Sequence, residues 1–335
     1  MELIKENIQK ARPSIKANSL KVYLRNITKL LKIVNKNEEN IYDYLTKSAE
    51  EVIQSVKNEE VSLSMKKNLF SAILVLYTSK NDKSGEVYDQ YVKAIKEQND
   101  EYVKSKEKQD LTKKESKNWV KLSKLRSVIK IYQDSIKNIL KFTPKAVYKD
   151  WNMFNTLQEY VVVSLYLMTN ALPPRRNLYA NTKMIKEDEF KLLKEEEINK
   201  NNWVIQDNKT KKFRFLFTEA NYKTGWKYGD QIIKLAKNSK LNKVLKMWFE
   251  YNINPDNWLL INPKQKNKMT PNGLTKYLIK IFSILGGDKK ISTSTIRKIF
   301  LSEVYKNDTK LIKRKNLAKK MGHDEKTAQL HYEKH

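Results

Sequence analysis

Apolar residues recur at three- and four-residue spacing over most of this chain, and that period predicts helices. Leu20, Tyr23, Leu24, Ile27, Leu30, Leu31 and Val34 form one such stripe, with lysines on the opposite face and Ser19 placed to cap it. A second set, Leu69, Phe70, Ile73, Leu74 and Tyr77, follows Ser62-Leu63-Ser64. Residues 83–104 are charged and helical, with Tyr88, Tyr91, Val92 and Ile95 as their apolar members. Nothing in residues 1–105 carries evident chemistry, so this part reads as a helical bundle with a basic face. Residues 106–117 are almost wholly polar and read as a linker running into the capping pattern Thr112-x-x-Glu115. Residues 118–335 form the second domain.

In that domain, helices are expected over Trp119–Tyr132 and Gln133–Leu140. A buried helix over Asn155–Asn170 is stopped by Pro173-Pro174, since proline lacks the amide and clashes with the preceding turn. Arg175-Arg176 follow. Strand alternation is confined to the middle: Trp203–Gln206, a turn at Asp207-Asn208-Lys209-Thr210, Phe213–Phe217, and a returning strand over Tyr228–Leu235 that leaves Lys223 at a hairpin tip. Helices resume over Leu241–Tyr251, Asn272–Leu285, Thr293–Tyr305 and Leu311–Met321. Gly322 then ends a helix and a short one runs from Glu325 to Tyr332. The fold class is therefore mainly α with a small antiparallel sheet, α+β in two domains.

Composition narrows the function. The 335 residues carry 67 Lys and Arg against 38 Asp and Glu, a formal charge of +29. That surplus favours a polyanion through Coulomb attraction and counterion release, although an AT-rich codon bias also enriches Lys, Asn and Ile. Cys is absent, which excludes disulfides and thiolate-bound zinc and fits an intracellular protein. Only three His occur, too few for a ready transition-metal site. No apolar run is long enough to span a membrane, and the N-terminus lacks the basic start and apolar stretch of a secretory leader.

Four features stand in a fixed order: Arg175-Arg176 after an apolar helix, Lys223-Thr224 in a hairpin, Ser294-Thr-Ile-Arg297 opening a helix, and Gly322-His323 with Tyr332 nine residues on. Singly, each is commoner as a solvated or packed residue. Together, over roughly residues 115–335, they resemble the tyrosine recombinase family. Its catalytic domain presents an Arg, a hairpin Lys, His-x-x-Arg, then Gly-His or Gly-Trp followed by a nucleophilic Tyr. The Pro-Pro-Arg-Arg and Asn-Tyr-Lys-Thr stretches are similar to integrases of large DNA viruses and virophages.

The resemblance implies an enzyme that cleaves and rejoins duplex DNA through a 3′-phosphotyrosyl bond, without ATP, metal or other cofactor. Tyr332 would be the nucleophile, and Arg176, Arg297 and His323 would grip the phosphate. Arg176 is favoured over its neighbour Arg175, which would contact an adjacent phosphate. Lys223 would give a proton to the leaving 5′ oxygen. A C-shaped clamp on DNA and a tetramer across two duplexes are also implied. The family's His in His-x-x-Arg is Ser294 here; a hydroxyl donates to phosphate but is no base near neutral pH. Proton handling would then fall to His323 or His331, or the enzyme would be impaired. A type IB topoisomerase shares this chemistry, and a DNA-binding protein on a decayed scaffold is a third reading. The segment after Tyr332 is short, so assembly would use other surfaces.

Overall fold

The computed structural model describes residues 1–170, 172–307 and 310–334. His335, one of the three histidines, lies outside them. The chain divides into two compact units, Met1–Lys108 and Gln109–His335.

The first unit is helical: α1 (Glu2–Ala11), α2 (Ala17–Ile33), α3 (Ile41–Lys47), α4 (Ala49–Asn58), α5 (Leu63–Ser79) and α6 (Glu86–Glu107). The α2 stripe turns Leu20, Ile27, Leu30 and Leu31 inward. This helix starts at Ala17, so Ser19 does not cap it; the Ser19 amide instead donates to the Lys16 carbonyl within the first turn. Ser62 does cap α5, its hydroxyl accepting from the Met65 amide at 3.3 Å. Leu69, Phe70, Ile73 and Tyr77 of α5 are buried, and Tyr91 of α6 closes the core with its hydroxyl on the Leu45 carbonyl at 2.8 Å. Each such apolar side chain contributes about 1.5–3 kcal/mol on burial. The outer face of α2 lines an open groove with Arg25, Thr28, Lys29 and Lys32.

The second unit opens with α7 (Lys113–Asn118), so most of the charged stretch read as a linker is structured and belongs here. Thr112 and Glu115 form the expected capping box. Glu115 also pairs with Lys298. Burial would raise the Glu115 carboxyl, but Lys298 and the Thr112 donors hold it down to about 2. The next helices are α8 (Leu122–Ile136), α9 (Pro144–Lys149) and α10 (Trp151–Leu167). Asp150 caps α10 by accepting from the Asn152 and Met153 amides, which starts the helix four residues before the apolar run. Phe154, Leu157, Val161 and Leu165 of α10 centre the main core.

The sheet contains four strands in sequence order: β1 (Thr182–Lys186), β2 (Asn202–Gln206), β3 (Phe213–Phe217) and β4 (Gln231–Lys234). β2, β3 and β4 pair antiparallel as the alternation predicts. β1 was not anticipated and adds in parallel, making the sheet mixed. Its residues Thr-Lys-Met-Ile-Lys are too few and too mixed to show a period. Two short helices, α11 (Glu187–Phe190) and α12 (Glu195–Ile198), link β1 to β2 and cover Ile185, Trp203, Ile205 and Leu216 on one face. Val204, Phe213, Phe215 and Phe217 face the main core. Between β2 and β3, Asp207 Oδ1 accepts from the Lys209 and Thr210 amides, as a turn there requires.

Tyr228 does not join the returning strand. The β3–β4 connection instead holds α13 (Gly225–Tyr228), and β4 begins at Gln231. Gly225 is forced, because a Cβ there would overlap the Glu219 carbonyl. The remaining helices are α14 (Lys240–Tyr251), α15 (Pro271–Phe282), α16 (Thr293–Asn307), α17 (Leu311–Lys320) and α18 (Glu325–Tyr332).

Candidate active site

Helix α16 buries Thr293, Ile296, Arg297, Phe300 and Leu301, an inward stripe at helical spacing with a single charge in it. Arg297 is 1% exposed. Its guanidinium donates to the Pro174 carbonyl at 2.9 Å and to the Met321 carbonyl at 3.4 Å. Thus one side chain ties the Pro-Pro turn to the end of α17. Burial pulls its pKa below the usual arginine range.

The corner after α17 follows the rules for a glycine stop. Gly322 takes φ +78°, and the His323 amide reaches back to the Ala318 carbonyl at 3.1 Å. Asp324 then caps α18, accepting from the Thr327 amide at 2.7 Å. Eight helical residues later Tyr332 lies face to face with His323, the ring centroids 5.0 Å apart and the planes 5° from parallel. The Arg297 guanidinium sits over the Tyr332 ring at 4.8 Å from its centroid. Arg176 donates to the Tyr332 hydroxyl at 3.3 Å.

The tautomer of His323 follows from its partner. Arg297 can only donate, and its terminal nitrogen is 3.0 Å from Nδ1, so Nδ1 accepts and the imidazole proton lies on Nε2. Burial, then the charges of Arg297 and Arg176, depress the His323 pKa to about 3. A neutral imidazole with Nδ1 engaged is a donor through Nε2 and not a base. Burial would raise the Tyr332 phenol, but Arg297 and Arg176 outweigh it and hold the pKa below its usual value. A phenol so placed ionises more readily, which is what a nucleophile needs.

Arg175 is wholly buried and faces the other way. It stacks on Phe217, 4.2 Å from the ring centroid, and donates to Gln231 at 2.6 Å and to the Lys320 carbonyl. Burial lowers its pKa to about 10. Arg176 thus reaches the phenol, while Arg175 braces β3 and β4 against the end of α17. Ser294 is exposed in the first turn of α16, one turn before Arg297. His331 is half-buried in the last turn of α18, about 100° round the helix from Tyr332. Lys223 is exposed in the β3–β4 loop and is not in the cluster. Its neighbour is fixed, however: the Thr224 hydroxyl donates to the Gly322 carbonyl at 2.6 Å. Lys227 pairs with Asp324 at 3.2 Å, and Gln231 donates to the Lys319 carbonyl at 3.0 Å.

Of these loop anchors only Thr224 was marked in the sequence, beside Lys223; Lys227, Gln231, Gln109 and Ser302 were not. Gln109 donates to the Gln329 carbonyl and to Glu333, while Ser302 donates to the Tyr332 carbonyl and accepts from the Lys334 amide. Both moor the helix that carries Tyr332. Polar residues of these types give no signal until the partners across the fold are known. Gly225 beside Thr224 was the one legible hint of a tight loop.

Among the described residues, Arg175, Arg176 and Arg297 have no carboxylate partner. Four buried atoms here lack a protein partner: Arg175 Nε and its second terminal nitrogen, Arg297 Nε, and His323 Nε2. All four are donors, and a buried donor without an acceptor costs about 1–3 kcal/mol. The site is thus rich in donors and poor in acceptors. Among the described residues there is no group of three or more His, Cys, Asp or Glu placed to hold a metal ion.

No family model matches this chain, and neither does any curated protein. Among solved structures, a crystal structure of XerA recombinase overlays with a TM-score of 0.36 at 13% identity, over 99% of this chain and 93% of that one. At that TM-score the overlay adds nothing to the side-chain geometry.

The depressed His323 pKa has a measurable consequence. An unfolded histidine titrates near 6.5, so between about pH 6.5 and 3 the unfolded chain binds the extra proton. Stability contributed by the neutral imidazole is full above 6.5 and is lost as pH falls through that window. His323→Gln should therefore flatten the acid side of the stability curve by up to about 1.4 kcal/mol per pH unit. Urea unfolding of both proteins from pH 7 to 4 checks this; parallel curves would refute the neutral, buried assignment.

Proposed function

We propose that this protein is a DNA strand transferase of the tyrosine recombinase type, in which Tyr332 attacks a phosphodiester. The carrying observation is the convergence of unpaired donors from Arg297 and His323, with Arg176, around one phenol. A phosphate is an acceptor-only anion, and its oxygens would satisfy those donors. Negative charge builds on the non-bridging oxygens as the phenol attacks, where fixed cations stabilise it most.

In the proposed reaction the Tyr332 phenol, made more acidic by Arg297 and Arg176, gives its proton to solvent water as its oxygen bonds to phosphorus and the bond to the 5′ oxygen breaks. The departing oxygen takes a proton from Lys223, whose long exposed side chain would swing in from beside Thr224, the residue that fastens the loop to Gly322. Lys223 regains its own proton from solvent afterwards. The phosphotyrosyl bond keeps the energy of the original linkage, so a 5′ hydroxyl reverses the step. Arg176 and Arg297 remain charged throughout. Lys and Arg of the first unit, including Arg25, Lys29 and Lys32, would hold backbone phosphates. Integration between two duplexes by a tetramer is part of the same proposal.

The test is a pool of labelled duplexes with randomised sequence around a nick, so that a short fragment diffuses away after cleavage. Wild-type protein should become covalently linked to DNA and survive denaturation. Retention on DNA with no covalent species would favour a binding-only protein. Relaxation of a supercoiled plasmid regardless of its sequence would instead mark a type IB topoisomerase.

A further inference from the structure

Trp226 is 78% exposed, and the chemistry above gives it no task. An indole left in water forgoes the burial that ordinarily stabilises it. Its backbone is nevertheless firmly held. Gly225 packs so closely on Glu219 that no side chain fits, and the Glu219 amide donates to Asp230 at 2.7 Å. The Tyr222 hydroxyl donates to the Gly229 carbonyl across the same loop. Thr224 and Lys227 fasten it to Gly322 and Asp324, on either side of His323. Trp226 therefore stands two residues from an anchor on the corner that bears His323. It is flanked in sequence by the exposed cations Lys223 and Lys227.

An exposed indole on a held backbone, three residues from the lysine that the reading above brings to the scissile phosphate, suits a nucleic acid, with the ring on the face of a base. A basic partner would be repelled by Lys223, and a purely apolar one would leave that charge without a partner. We propose that Trp226 stacks on an unstacked nucleobase flanking the phosphate that Tyr332 attacks. This rests on the strand-transfer reading. Cleavage removes one covalent restraint on the flanking nucleotide, and stacking on an indole carried by a held backbone keeps its 5′ hydroxyl near the phosphotyrosyl bond for rejoining.

The experiment compares wild type, Trp226→Ala and Trp226→Phe on a duplex recovered by the trapping selection, with 2-aminopurine beside the cleavage point. Wild type should change the 2-aminopurine fluorescence on binding; Trp226→Phe should keep most of that change and Trp226→Ala should lose it. Binding by Trp226→Ala should weaken roughly 5- to 100-fold. The slope of log Kd against log salt should be unaltered, because a lost ring releases no counterions. Thermal unfolding should be unmoved, since so little of the ring is buried. A Trp226→Ala protein with wild-type affinity and fluorescence response, while wild type still forms the covalent adduct, overturns this proposal alone. A wild type that neither binds nor traps duplex overturns the strand-transfer reading and this proposal with it.

Discussion

Tyr332→Phe is expected to reduce covalent DNA trapping to background while leaving the fold and DNA binding in place. The substitution deletes one oxygen. The ring that stacks on His323 and lies under the Arg297 guanidinium is retained. The lost contacts are those of the hydroxyl with Arg176, at 3.3 Å, and with Arg297, so stability should change by about 1–3 kcal/mol. Removing the oxygen also removes the group whose pKa Arg297 and Arg176 depress. The chain contains 18 tyrosines, so loss of signal has to be joined by peptide mapping of the wild-type adduct. An adduct that persists in the Phe variant, or maps to another tyrosine, would remove Tyr332 from the mechanism.

The resemblance named the residues of this cluster, and part of their placement is legible because they lie on rigid, periodic elements. Arg297 occupies an inward position of a helix, and Gly322 sets a corner whose geometry local rules dictate. The nine-residue spacing from His323 to Tyr332, which the resemblance supplied, is spanned by α18. The choice of Arg176 over Arg175 was legible only as a register. Its physical basis is that Arg175 faces Phe217, a contact between segments about forty residues apart. Lys223 shows the opposite limit. Its hairpin was visible, but the helical turn at Gly225–Tyr228 and the anchors at Gly322 and Asp324 were not, because they depend on partners roughly a hundred residues away. β1 escaped for a related reason. A short mixed segment becomes a strand only when β2 supplies the ladder, and local pattern carries no trace of that.

Arg297→Lys should slow trapping by about 10²–10³ even though charge is conserved, on the scale seen when one fixed donor to a developing oxyanion is lost. A guanidinium reaches Pro174, Met321 and His323 at once and still covers the Tyr332 ring. An ammonium has no planar fork, so it cannot hold those partners and present a further donor to phosphate. The change should also cost about 1–3 kcal/mol of stability, because the buried Pro174 and Met321 carbonyls lose donors. His323 would feel it as well: with Nδ1 released, its two tautomers become comparable and Nε2 is no longer obliged to carry the proton. Loss of function in Arg297→Lys and His323→Gln should then be strongly non-additive, the double variant falling little below the worse single one. Single-turnover trapping rates on one nicked duplex decide the matter. A Lys variant within about threefold of wild type would mean that position 297 supplies only charge, and the forked grip on phosphate would have to be abandoned.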